Sequence, residues 1–423
     1  MNRMGLQGIR VVLGVSLLCL GASGAWADDS VKADIEVLKD RLAKLEAQQA
    51  GAEPGNAVIQ LPSGFSGVQM SGFVDTTYTY NFNVPQTNVN TLRVFDTRAN
   101  SFMFNNAELV VDKPVSAESP VGFKTALMFG TDSEVVGGVT TGLGANAHTH
   151  GQAGETAVSD ELEVQQAYAE YLAPLGNGVD LKAGKYTTLV GAEVTESKDN
   201  WNISRSYMFG FAEPVTHTGL RASYPWTEQL STTIGVNNGW DLVDDTNQAK
   251  GVELGFSAAP MEGVSLAGTY LLGGEQAGNN GNGRHFFNLV AGYQPIDPLQ
   301  LKLSYDYGWE DDVQGFGDNA VWQGLTGYAR YAVTDRFAVA LRGELFNDTD
   351  GVRTAFTGGI NGVTGQRLNL MEWTLTGEYK LHEHLIARAE YRHDWASEHV
   401  FRARDLRQWD HQDTVALEFI TPF

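Results

Sequence analysis

Nowhere does this chain carry an apolar run long enough to cross a membrane as a helix, which takes roughly 20 residues. From residue 67 to residue 423, however, large apolar side chains recur on every second position. A period of two is the mark of a β-strand with one apolar face. In "LQLKLSYDYGW", Leu299, Leu301, Leu303, Tyr305 and Tyr307 share one face, while Gln300, Lys302, Ser304 and Asp306 share the other. In "HLIARAEYRHDW", Leu385, Ala387, Ala389 and Tyr391 oppose Ile386, Arg388, Glu390 and Arg392. About sixteen such segments follow one another, each near the ~9–11 residues that a tilted membrane strand needs.

The connections between them fall into two kinds. "PLGNG", "PWTEQ", "PMEG", "PIDP", "VTD" and "HEH" are short turns, rich in Pro, Gly and Asp. The segments 132–160, 192–214, 273–283, 309–319, 347–368 and 396–412 are long and polar. Short turns at one end and long loops at the other is the layout of a bacterial outer-membrane barrel. A soluble barrel would also alternate, with its apolar face filling the interior. Two features favour lipid outside and water inside. Tyr78, Tyr80, Trp240, Tyr305, Trp309, Tyr391 and Trp395 gather near strand ends, as interfacial girdles do. The face opposite the apolar one is charged, which a dry core would not tolerate.

The expected fold is therefore an all-β transmembrane barrel of about sixteen antiparallel strands over residues 67–423, lying in the outer membrane among its lipids. Residues 1–27 read as a secretory signal peptide: Arg3 and Arg10, the apolar run "VVLGVSLLCL", then the small-x-small end Ala25-Trp26-Ala27. Its removal takes away the only cysteine, Cys19, and moves the formal charge from −22 to −24 (−22 minus 2). So acidic a chain is a poor partner for nucleic acid. Within residues 28–51, Val31, Ile35, Leu38, Leu42 and Leu45 are spaced 4, 3, 4, 3, the seam of a coiled coil. A short periplasmic coil there is expected to help hold a homotrimer, and 52–66 is the linker.

The chain ends on "DTVALEFITPF", an alternating strand expected to pair with the first strand, since an open edge in lipid leaves backbone groups unsatisfied. Phe423, on an alternating strand, resembles the signal read by the barrel-assembly machinery. The stretch "KAGKYTTLVGAEVTESKDNWNISRSYMFGFAEPVTHTGLRASY" resembles the OmpL-like β-barrel porin family. The resemblance is carried by Gly184-Lys185-Tyr186, Gly191-Ala192-Glu193, Asn202, Ser204-Arg205-Ser206, Pro214 and His217-Thr218-Gly219. It implies passive diffusion of small solutes and names none.

Lumen-facing bases by parity are Lys182, Arg221, Lys302, Arg330, Arg342, Arg388 and Arg392; acids are Asp75, Glu108, Glu170, Glu253, Asp306, Glu344, Glu372, Glu378, Glu390 and Glu418. Such rings set ion preference in pores, or serve as cross-strand ion pairs that stiffen the wall. Segment 192–214, with Asn202, Ser204, Arg205 and Tyr207, is placed where a loop could fold inward as a constriction. The residues expected to line the pore are Lys182, Arg205, Arg221, Glu253, Lys302, Asp306, Arg330, Arg342, Glu344, Arg388 and Glu390. Loop acids Glu155, Asp160, Glu310, Asp311, Asp312, Asp318, Asp348 and Asp350 are expected at the mouth.

Catalytic and metal signals are weak. His148 and His150 with Glu155 lack a third ligand at fixed spacing, and His382-Glu383-His384 reads as a hairpin turn. No Gly-x-Ser-x-Gly elbow, His-Glu-x-x-His or phosphate loop occurs. No cofactor or metal is expected. A plugged structural or adhesive barrel is the alternative to a channel, and a barrel enzyme a more remote one. If the heptad segment holds a trimer, replacing Ile35, Leu38 and Leu42 with Ser should shift the detergent-solubilised protein toward monomer in native mass spectrometry. A wild type seen only as monomer would contradict the trimer.

Overall fold

A computed structural model describes residues 67–140, 162–313, 319–356, 367–404 and 407–423. The signal peptide, heptad segment and linker lie outside them, as do His148, His150, Glu155, Asp160 and Asp318. The strands are β1 (Gln69–Asn81), β2 (Ser101–Lys113), β3 (Val121–Phe129), β4 (Leu162–Ala173), β5 (Val179–Thr187), β6 (Thr216–Thr227), β7 (Leu230–Asn237), β8 (Gly251–Met261) and β9 (Val264–Gly274). They continue with β10 (Gly283–Ile296), β11 (Leu299–Glu310), β12 (Ala320–Ala332), β13 (Phe337–Asp348), β14 (Leu368–His382), β15 (Leu385–Ala396), the two-residue strands β16 (Phe401–Arg402) and β17 (Gln408–Trp409), and β18 (His411–Pro422). Strands β16 and β17 form a ribbon in the last loop; the other sixteen form one closed barrel. Each pairs antiparallel with its neighbours, and β18 pairs back onto β1.

The closing seam runs from Phe73 opposite Pro422 to Asn81 opposite Thr414. Beyond it, Gly72 and Phe423 exchange two backbone hydrogen bonds of 3.0 Å each. A Cβ at position 72 would stand 2.1 Å from the Glu108 carbonyl oxygen and 2.6 Å from the Phe423 ring. Glycine is thus required for the ring to lie across the seam. Leu417, Phe419 and Phe423 are all exposed on the outer face.

Parity holds around the wall. On β11, Ser304, Asp306, Gly308 and Glu310 are buried while Leu303 is exposed; on β15, Arg388, Glu390, Arg392 and Asp394 are buried while Ala389 and Trp395 are exposed. Outward apolar residues such as Phe102, 86% exposed with only the Tyr78 ring beside it, are suited to lipid.

All sixteen sequence-derived strands coincide with barrel strands. Segments 82–100 and 238–250 are further long loops that the alternation pattern had not singled out. A second departure is the helix Thr131–Thr140, in a stretch expected to be irregular. Its Gly137 and Gly138 and its three valines give a poor helix propensity. Tertiary packing overrides it: Val136 buries against Met128 and Val215. The seam geometry predicts that Gly72→Val prevents closure, so heat-dependent gel mobility should be lost from most of the protein. Removing Phe423 should lower the folded amount recovered in the membrane fraction while leaving the heat-dependent gel shift of the surviving folded protein unchanged.

Candidate functional site

Residues 188–215, between β5 and β6, fold into the barrel. Apart from a 3-10 turn at Ser197–Asp199 and a π turn at Met208–Ala212, the segment is irregular, and its N–H and C=O groups need partners. The wall supplies them in a division of labour. Wall carboxylates take the N–H groups: Glu390 accepts from Ile203 (2.6 Å) and Ser204 (3.0 Å), and Glu344 accepts from Tyr207 (2.6 Å) and Met208 (2.7 Å). Wall arginines donate to the carbonyls: Arg342 to Ser204 (2.6 Å), Arg388 to Ser197 (2.9 Å) and Arg392 to Arg205 (2.5 Å).

The same charges pair with one another. Arg342 also binds Glu193 at 2.7 Å and Glu372 at 2.6 Å. Arg388 lies between Glu378 at 2.8 Å and Glu418 at 3.0 Å. Arg392 binds Asp394 at 2.8 Å, which also accepts the Tyr207 hydroxyl at 2.7 Å. Arg93, from the loop 82–100, reaches that same Asp394 at 2.5 Å. Burial would lift the Glu193 carboxyl, but Arg342 and the Ser206 N–H hold it below the ordinary carboxylate range.

The residues carrying the family resemblance form the inner half of this device. Glu193 accepts the Ser206 N–H at 2.8 Å, and Asn202 donates to Thr376 at 2.8 Å. Arg205 donates to the carbonyls of Val194, Thr195 and Ile203 and stacks on Phe95. Gly191, at φ +94°, leaves room for Glu213; a Cβ there would stand 2.2 Å from its carboxylate. His217 contacts the Gly239 carbonyl and the Thr188 hydroxyl.

The remaining residues expected at the pore lie elsewhere on the wall. Arg221 forms a fork with Glu253, both bonds 2.7 Å, and stacks on Tyr186. Lys182 sits among Glu170, Asp180 and the Tyr168 ring. Arg330 pairs with Glu378 at 3.0 Å, Asp306 accepts from Asn288 at 2.6 Å, and the Lys302 ammonium lies 4.3 Å from the centre of the Trp201 ring. Thus Arg205, Arg342, Glu344, Arg388 and Glu390 converge on the loop and Lys302 meets it through Trp201, whereas Lys182, Arg221, Glu253 and Arg330 do not. Asp394 was missed, although it follows Arg392 on the same strand face. Nothing local to Arg93 announces its role.

Polar parity gives way toward the long-loop end. Leu271, Phe286, Trp322, Phe346 and Leu370 are buried and pack with Leu92, Phe95, Tyr207, Phe209, Phe211, Trp240 and Phe401 in one apolar cluster. Of the acids expected at the mouth, Glu310 and Asp348 are instead buried, Glu310 paired with Arg284 and Asp348 accepting from Thr354. The loops cover these positions, so apolar and paired residues are stable there.

Residues 67–423 match the family model described as "Putative beta-barrel porin-2, OmpL-like". The chain belongs to this family. No curated protein sequence matches it significantly. Among solved structures, the anion-selective porin of Comamonas acidovorans aligns with a TM-score of 0.54 at 11% identity, covering 84% of this chain and 99% of that one. The outer membrane channel DcaP of Acinetobacter baumannii aligns at 0.53 and 12%, covering 84% and 97%. The loop-deleted OmpT of Vibrio cholerae aligns at 0.53 and 11%, covering 84% and 99%. At such identities the likeness is one of fold.

The anchoring of the loop can be tested on two arginines of this porin-family barrel. Arg342→Met strands Glu193 and Glu372 in a buried site and should cost about 3–5 kcal/mol in denaturant unfolding. Arg330→Met, at a more accessible pair, should cost at most about 1 kcal/mol.

Proposed function

We propose that the protein is an outer-membrane porin, without enzymatic activity, through which small hydrophilic solutes and ions diffuse passively. The supporting observation is the charged inner wall of a closed sixteen-strand barrel, crossed by an inward loop, in a porin family. In this reading the short turns face the periplasm and the long loops the outside. The outer membrane protein OmpT of Vibrio cholerae, solved in a trimer form and similar in fold, supports a homotrimer here, reinforced by the heptad segment.

Mild cation preference follows from the charge arrangement. The Arg221, Arg342, Arg388 and Arg392 guanidinium groups are bound to carboxylates, and Arg205 is spent on loop carbonyls. They offer little unpaired positive charge to a passing anion. Exposed Asp312 and half-buried Asp311 and Asp350 add negative potential at the long-loop end. That contribution should fade as salt shortens the Debye length from about 10 Å at 0.1 M to about 3 Å at 1 M.

A second reading, a plugged structural or adhesive barrel, draws support from the apolar cluster packed among the loops and inner wall. Planar-bilayer recording separates the two. Stable unitary currents, with a cation-selective reversal potential under a KCl gradient that weakens at high salt, are expected of the porin. A folded protein that inserts but carries no current would favour the plugged barrel. Currents of anion-selective sign at low salt would show that the inner arginines dominate.

A further inference from the structure

The wall that faces the loop from the other side is built differently. On β13–β15, each buried wall charge meets a loop group or another charge, with one Asp348 oxygen and one Arg392 nitrogen left over. On β1, β2 and β4, and on the helix Thr131–Thr140, polar side chains are buried with atoms that meet no partner. Neither carboxylate oxygen of Asp75 nor either amide atom of Asn106 has a hydrogen-bond partner at full bonding distance, and Glu108, Asp132, Gln165 and the loop residue Ser197 each leave one polar atom unpaired. Asp75 is 0% exposed, Asn106 1% and Asp132 2%. Buried polar atoms in such number are costly unless something satisfies them.

Their placement is concerted. Asp75 and Asn106 are direct cross-strand partners, a geometry that sets Cα atoms about 4.5–5.5 Å apart. The Ser197 hydroxyl lies toward the Asp75 carboxylate at weak hydrogen-bonding range, and Asp132 and the Arg388-bound Glu418 stand close enough to act on it. Gln165 is tied to the loop through its amide, which donates to Glu196 at 3.1 Å, leaving its oxygen free. Two cations stand near, Arg205 and Arg388, but Arg205 donates to carbonyls and Arg388 to Glu378, Glu418 and Ser197.

We propose that Asp75, Asp132, Asn106, Gln165 and Ser197 form a site for a hard divalent cation of the calcium type, which ties the loop to the wall opposite its arginine anchors. The donors are all oxygens: two carboxylates, two carboxamide oxygens and a hydroxyl. Calcium accepts such irregular mixed oxygen sets at 6–8 coordination, whereas magnesium demands a tighter octahedron and gives up water reluctantly. Two carboxylates balance the ion's charge. Among the described residues no three acidic or histidine side chains converge as a metal cluster, so the neutral oxygens are essential to the assignment.

The test is calcium binding to the full-length, detergent-solubilised barrel after chelator treatment, by isothermal titration in potassium chloride. One site per chain is expected, with a rise in the temperature of the heat-dependent gel shift. Asp75→Asn with Asp132→Asn should weaken binding at least tenfold and abolish that rise. Asn106→Ala, which keeps both carboxylates, should weaken it several-fold, and Asp311→Asn at the mouth should change nothing. Absence of binding in the wild type, undiminished binding in the Asp75/Asp132 double variant or the Asn106 variant, or magnesium binding as tightly as calcium would overturn the assignment. None of these readouts depends on current, so they report on calcium binding whether or not the barrel conducts.

Discussion

Everything about the inner architecture depends on the need to satisfy the backbone of an irregular segment enclosed by a barrel. A strand passes its N–H and C=O groups to its neighbours. Residues 188–215 have few such neighbours beyond their own short turns, and rely on side chains of the loop itself and of the wall. Carboxylates for amides and guanidinium groups for carbonyls are the strongest donors and acceptors available, because charge-assisted hydrogen bonds are shorter and stronger than neutral ones. A wall of paired charges is therefore also a socket for a loop. That accounts for buried Arg342, Arg388 and Arg392 where a simple channel would expose them.

The barrel was almost wholly legible in the sequence, for a physical reason. A membrane strand has to alternate, and the two environments it separates are as different as lipid and water. The end-to-end contrast in connection length then fixed the topology without any long-range information. Closure of β18 on β1 followed from the absence of tolerable edges in lipid. The helix Thr131–Thr140 was not legible because its stability lies in the contacts of Val136 with Met128 and Val215, not in its own propensities.

The site was legible only in part. Parity identified Arg342, Glu344, Arg388 and Glu390 as facing inward, but could not say what they face. A lumen charge that meets water and one that meets a loop carbonyl have the same sequence signature. The loop's own motif, from Glu193 to Ser206, came closer, since those residues make the complementary half of the contacts. The apolar inner positions Phe286, Trp322 and Phe346 run against the expected pattern because they meet other loops rather than water.

The loop's attachments also have an order in time. It leaves the wall between β5 and β6, yet the side chains that hold it stand on β13, β14 and β15, more than a hundred residues later in the chain. Until those strands are in place, the amides of Ile203, Ser204, Tyr207 and Met208 and the carbonyls of Ser197 and Ser204 lack the wall partners that hold them in the finished barrel. The interior therefore cannot be completed strand by strand as the wall grows. It sets last, after the C-terminal strands have brought their charges alongside the segment that preceded them.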